Sequence, residues 1–169
     1  MKLKLSIIPA LLLCLSSIFM VSCKDKADSK CASVPCAAGY CEKGNCVCPA
    51  GYSGQHCTDL WMVKFSGGWN LTEYEMNGSR LDGPYFTTLG PVQGSFTDLE
   101  LTNFWNEGSQ VILVMNSATQ FSLKEQQTVG NGFMLLSMEG TLNGNQIMGT
   151  YKIEYQGEQH NLKFIMVKM

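Results

Sequence analysis

The chain has 169 residues, 45% of them hydrophobic and only 15% charged, with 17 glycines, eight cysteines and a formal net charge of −2. That length holds one to one and a half ordinary domains, which excludes a large multidomain enzyme. So little charge with so much glycine argues against a coiled coil and against charge-driven disorder. Arg80 is the sole arginine, so no basic stripe exists to neutralise phosphates and no nucleic-acid partner is expected.

Lys2 and Lys4 precede an apolar run from Leu5 to Val21, broken only by Ser6, Pro9, Ser16 and Ser17, and the small residue Ser22 stands before Cys23. This predicts a secretory signal peptide over residues 1–22. A transmembrane anchor would need about 20 clean apolar residues, and Pro9 interrupts the run. Met20-Val21-Ser22-Cys23 resembles the lipobox of bacterial lipoproteins, with Met20 where leucine is usual. The resemblance implies cleavage before Cys23, fatty acylation (palmitate in kind) of that cysteine, and a lipid anchor that holds the chain on a membrane without crossing it. The implied address is the cell envelope, the outer membrane of a Gram-negative bacterium. Cleavage takes Lys2 and Lys4 away, leaving ten basic against fourteen acidic residues, a formal charge of −4. Residues 23–30 then read as a lipidated N-terminus and polar tether.

Six further cysteines, Cys31, Cys36, Cys41, Cys46, Cys48 and Cys57, crowd into 27 residues. So short an exported segment cannot bury enough apolar area to fold alone, so a disulfide framework is expected. Zinc is the competing reading, but it favours C-x₂₋₄-C pairs, often with histidines. Spacing alone leaves the connectivity open. The pattern C-x₄-C-x₄-C-x₄-C-x-C-x₈-C, ending in Cys46-Val47-Cys48 and Gly54-Gln55-His56-Cys57, resembles an epidermal-growth-factor-like (EGF-like) module over residues 31–57. The resemblance implies disulfides Cys31–Cys41, Cys36–Cys46 and Cys48–Cys57, each contributing about 2–4 kcal/mol. Gly44-Asn45 is the expected hairpin turn, Gly51 and Gly54 allow positive φ, and Tyr52 is expected to pack on the disulfides. Calcium-binding relatives carry acids before the first cysteine and on the hairpin. Here Asp28 is followed by Ser29-Lys30, and Glu42 to Asn45 are too few for the hairpin pattern, so calcium is not expected. His56 reads as an exposed loop residue.

Residues 58–169 contain no cysteine and must be stabilised by packing. Asp59 to Phe65, with Thr58 or Asp59 as N-cap and Gly67-Gly68 beyond, predicts a short helical turn. Period-two patterning then predicts strands at about Trp69–Met76, Tyr85–Leu89, Gly94–Asn103, Gln110–Asn116, Thr119–Gln126, Phe133–Leu142, Gln146–Tyr155 and Asn161–Lys168. Asn77-Gly78, Glu107-Gly108, Gly130-Asn131-Gly132, Asn143-Gly144 and Gln156-Gly157 supply hairpin turns. The cleanest alternation sets Ile147, Gly149, Tyr151, Ile153 and Tyr155 on one face, with Met134-Leu136-Met138 and Leu162-Phe164-Met166 as neighbouring apolar rows. This is a mainly β chain whose eight strands must close into an antiparallel barrel or pack as a β-sandwich. Phe65-Ser66-Gly67-Gly68-Trp69 resembles the G-x-W opening of lipocalins, which implies a lipocalin-like (calycin-type) β-barrel, with Gly67 and Trp69 as structural residues closing one end.

No catalytic set emerges. After cleavage the histidines are His56 and His160, in separate segments, so a nucleophile lacks a base. Glu73 and Glu75 lie two apart on one strand and read as a solvated face rather than a catalytic pair. No phosphate-binding or metalloprotease motif occurs, so no enzyme, cofactor or metal is expected. Met134, Met138, Met148 and Met166 read as core filling or as an adaptable apolar wall. The expectation is a non-catalytic, lipid-anchored cell-envelope protein whose β domain binds a small apolar ligand or a surface protein partner. The alternatives are an adhesion or scaffold module, with Tyr40, Tyr52 or Trp105 as anchors, and a barrel-type protease inhibitor.

Overall fold

The computed structural model describes residues 30–169; the segment read as a signal, Cys23 and the tether up to Ser29 lie outside the described residues. The first described unit is a disulfide-rich module. Strands β1 (Tyr40–Glu42) and β2 (Asn45–Val47) form a hairpin. Its turn is Lys43-Gly44, both at positive φ (51° and 88°), one residue earlier than expected, because Asn45 already pairs with Glu42. Disulfides join Cys31 to Cys41, Cys36 to Cys46 and Cys48 to Cys57.

β3 (Tyr52–Ser53) and β4 (Asp59–Leu60) pair across the end of this module, and β4 runs straight into helix α1 (Trp61–Phe65). The helix starts two residues later than expected. Asp59 is engaged in strand pairing with Ser53, so Leu60 stands at the N-cap without a side-chain bond. The backbone N–H of Trp61 donates to the Gly51 carbonyl at 2.9 Å. Tyr52 packs on Phe96, in the loop before β7 (Asp98–Phe104) of the barrel, with ring centroids 5.4 Å apart.

The remainder is a closed eight-stranded antiparallel β-barrel, not a sandwich. Its strands are β5 (Gly67–Glu75), β6 (Arg80–Pro91), β7 (Asp98–Phe104), β8 (Ser109–Ser117), β9 (Gln120–Leu123), β10 (Gln127–Val129), β11 (Phe133–Asn143), β12 (Gln146–Tyr155) and β13 (Glu158–Lys168). β9 and β10 lie along the same edge of β11 and act as one interrupted strand, and β13 pairs with β5 to close the ring. Closure removes the free edges that a meander would expose.

Three departures from the sequence pattern have local causes. Residues 94–97 are a loop, because the Ser95 hydroxyl accepts the N–H groups of Thr97 (3.2 Å) and Asp98 (2.9 Å) and delays β7. The fifth strand breaks where the Gln127 side chain replaces backbone pairing. Its amide bonds both the N–H and the C=O of Ile112 on β8, each at 2.9 Å. In β11 a bulge between Leu135 and Ser137 changes the phase, so Leu135 and Met138 are buried and Met134 faces out.

The interior is filled by large side chains, among them Phe104, Phe121, Leu135, Tyr151 and Phe164. Phe121, Gly140, Gly149 and Phe164 are register partners on four neighbouring strands. A Cβ on either glycine would fall into the adjacent phenylalanine ring, so the bare backbone lets the two rings stack inward, 6.5 Å apart. At the end where the chain enters, Phe65 of α1 meets Phe121 edge-on at 5.8 Å. Trp69 is fully buried there, its indole N–H donating to the Phe65 carbonyl at 2.8 Å. Lys168 lies over the indole at 5.3 Å and donates to the Lys64 carbonyl at 3.0 Å, and Gly67 carries the positive φ (128°) that turns α1 into β5. Gly67 and Trp69 thus lie together at the sealed end.

Candidate functional site

The opposite end of the barrel holds the turns 76–79, 105–108, 130–132 and 156–157, and it is built differently. Along β5 the inward positions are Trp69, Leu71 and Glu73, so alternation carries a carboxylate into the core while Glu75, beyond it, is exposed. The reading of Glu73 and Glu75 as a solvated face is therefore corrected: Glu73 is 2% exposed. Its neighbours in the interior are Tyr85 from β6 and Tyr151 from β12, both buried.

Trp105, just past β7, completes the group. Its backbone sits in the left-handed region (φ 62°), between Asn103 (55°) and Asn106 (53°). Such a conformation costs a non-glycine residue about 1–2 kcal/mol. The Asn103 side chain offsets part of that cost by donating to the Phe86 carbonyl (2.7 Å) and accepting the Gly108 N–H (3.0 Å).

The hydrogen bonds then run in one direction. Both Trp105 groups that reach the tyrosines are donors: its backbone N–H meets the Tyr85 hydroxyl at 2.9 Å and its indole N–H the Tyr151 hydroxyl at 3.0 Å. Each hydroxyl, having accepted from Trp105, gives its own proton to Glu73, Tyr151 doing so at 3.0 Å and Tyr85 bonding the same carboxyl. Burial pushes the Glu73 carboxyl up from 4.5 to about 7, against the pull of the two tyrosine hydrogen bonds and with a further push from Asp82. Burial first, then the Glu73 charge, drives both tyrosines well above the usual phenol range, so their hydroxyls stay protonated.

A cleft of about 400 Å3 opens over this group, lined by Glu73, Leu81, Asp82, Trp105 and Glu107. Leu81 is half exposed there, and the Trp105 ring continues into Phe133 (4.5 Å) and from it into Tyr155 (4.3 Å). The mouth thus offers an apolar wall, a buried acid poised near neutrality, and two carboxylates on its rim. It can bind and orient a small molecule; among the described residues no group of acids, histidines or cysteines could hold a metal ion.

Of the residues singled out in the sequence, His56 is exposed, its ring bonded to the Pro35 carbonyl at 3.0 Å, and Tyr40 is exposed on the module. His160 lies at the exposed start of β13. The six module cysteines are all in disulfides, and Cys23 lies outside the described residues. Trp105, expected as an outward anchor, is part-buried and bonded inward. The sequence reading missed Tyr85 and Tyr151 as partners of Glu73; the signal was that Trp69, Leu71 and Glu73 share one parity on β5. No protein-family model and no curated protein matches the chain.

Proposed function

We propose that this is a non-catalytic, lipid-anchored cell-envelope protein in which an EGF-like module carries a lipocalin-like barrel that binds a small, largely apolar ligand at its far mouth. The observation that carries the reading is the cleft between Leu81 and Trp105, an exposed apolar floor over buried polar groups at the open end of a filled barrel. The anchor rests on Met20-Val21-Ser22-Cys23, and the module's kinship rests on its cysteine spacing.

The chain from Lys24 onward, titrated with the neutral probe 3-phenyl-1-propanol, tests the binding site. The Trp105 indole N–H signal is expected to move while that of Trp69, at the sealed end, stays. A titration that leaves Trp105 unmoved overturns the reading. For the anchor, Cys23→Ser is expected to release the protein from membranes with both domains folded; a serine variant that stays membrane-bound refutes lipidation.

A second reading, a surface that docks a protein partner, is favoured by one patch. Phe86 and Val167 flank Asn70 on neighbouring strands and, with Met169, are 52%, 42% and 76% exposed. Scattered apolar residues are ordinary, and three together on one wall support this second reading.

A further inference from the structure

The mouth has a charge imbalance that its hydrogen bonds do not resolve. Glu73 accepts two tyrosine hydroxyls, yet among the described residues it has no ion pair; the two salt bridges there are Lys43–Glu42 and Lys124–Asp98, both elsewhere. The rim adds negative charge. Asp82 spends an oxygen on the Gly83 N–H (2.7 Å) and Glu107 accepts from the Asn131 amide (3.3 Å), neither of which is a cation. Acids on a wet rim would mean little, since water solvates them. Glu73 is different: it is buried, it lines the open cleft, and when it ionises no cation among the described residues pairs with it.

We propose that the mouth cleft is a binding site for an organic cation, an ammonium group on an apolar body, with Glu73, Asp82 and Glu107 as its countercharges and Trp105 as its wall. The inference rests on the reading that this cleft binds a ligand, and it names the ligand's class. A bare metal ion does not fit, because these acids do not converge closely enough to ligate one. An ammonium group needs no such convergence; it is attracted by all three carboxylates and by the face of an indole, while its carbon body covers Leu81. An anion would meet the like charges of Asp82, Glu107 and the ionised Glu73, and a neutral molecule would pair with none of them.

Three probes with one phenyl-alkyl skeleton test this at pH 8, where Glu73 is ionised: 3-phenylpropylamine, 3-phenyl-1-propanol and 3-phenylpropionate, each titrated into the chain from Lys24 onward and followed on the Trp105 indole signal. The amine is expected to bind at least tenfold more tightly than the alcohol, and the carboxylate more weakly than either. Glu73→Gln is expected to reduce the amine's advantage to less than threefold. Because that variant alters a buried network, Asp82→Asn and Glu107→Gln, both at exposed positions, are measured beside it, and each is expected to lower the ratio of amine to alcohol affinity two- to threefold. If the alcohol binds and the amine is no tighter, the cation assignment is overturned while the ligand site stands. If no probe moves Trp105, the site itself fails. An amine preference that survives intact in all three variants removes these carboxylates from the proposal.

Discussion

Trp105 donates its indole N–H to the Tyr151 hydroxyl at 3.0 Å across 46 residues of sequence, and that single bond fixes which way the hydroxyl's own proton must point. Having accepted from the indole, Tyr151 donates to Glu73. Tyr151→Phe removes both bonds, leaving an indole N–H without its acceptor and a buried carboxyl short of one donor. A loss of about 1–3 kcal/mol is expected, measured by urea unfolding at pH 8. The Glu73 carboxyl is also expected to move further up, since the bond it loses was one that pulled it down; carbon-detected titration of the carboxyl signal reads this.

The same burial makes stability depend on pH. Glu73 ionises near its ordinary 4.5 in the unfolded chain and near about 7 in the folded one. Between those values the folded state keeps a proton that the unfolded state has released, so its contribution is full below 4.5 and is lost as pH rises to about 7. The difference amounts to about 3 kcal/mol. Glu73→Gln is expected to flatten this part of the stability–pH curve, whatever it does to stability at one pH. Parallel slopes for variant and wild type between pH 5 and 8 would refute it.

Gly140 and Gly149 face the Phe121 and Phe164 rings across strand pairs. Alanine at Gly140 forces the Phe121 ring off its place, and a cost of about 1–3 kcal/mol is expected from overpacking alone, whereas a Cβ at Gly149 also meets the Glu139 carbonyl oxygen. Trimming the ring in the same chain, Gly140→Ala with Phe121→Leu, is expected to cost less than the two single changes added together. Thermal unfolding of the four proteins of the cycle measures the coupling.

Gly51 has φ 91°, and a Cβ there would lie 2.6 Å from the Phe96 carbonyl oxygen. Gly51→Ala is expected to part the Tyr52–Phe96 contact and let the disulfide-rich module reorient independently of the barrel. Backbone ¹⁵N relaxation checks this: one correlation time for both units in the wild type, a shorter one for the module in the variant.

The barrel was legible because each strand buries one face and its turns carry glycine at the positions that need positive φ, as at Gly78, Gly108 and Gly144. What escaped were places where a side chain takes over backbone pairing. The Gln127 amide that bonds Ile112, and the Ser95 hydroxyl that delays β7, leave no trace in a hydrophobic pattern. The Glu73 site was hidden for a related reason. A carboxylate reads as surface by composition, and only its parity with Trp69 and Leu71 said otherwise; the tyrosines that make its burial tolerable lie on β6 and β12, far off in sequence.

The β3–β4 pairing ties the module to the end of the barrel that Trp69 seals, so chain and cleft occupy opposite poles. A tethered receptor whose opening lay beside its tether would oblige each ligand to diffuse through the narrow gap against the support. Under the proposed anchoring, the opening would face the bulk, and arrival rates at the cleft are expected to be the same whether the chain before Lys30 is held on a surface or free in solution.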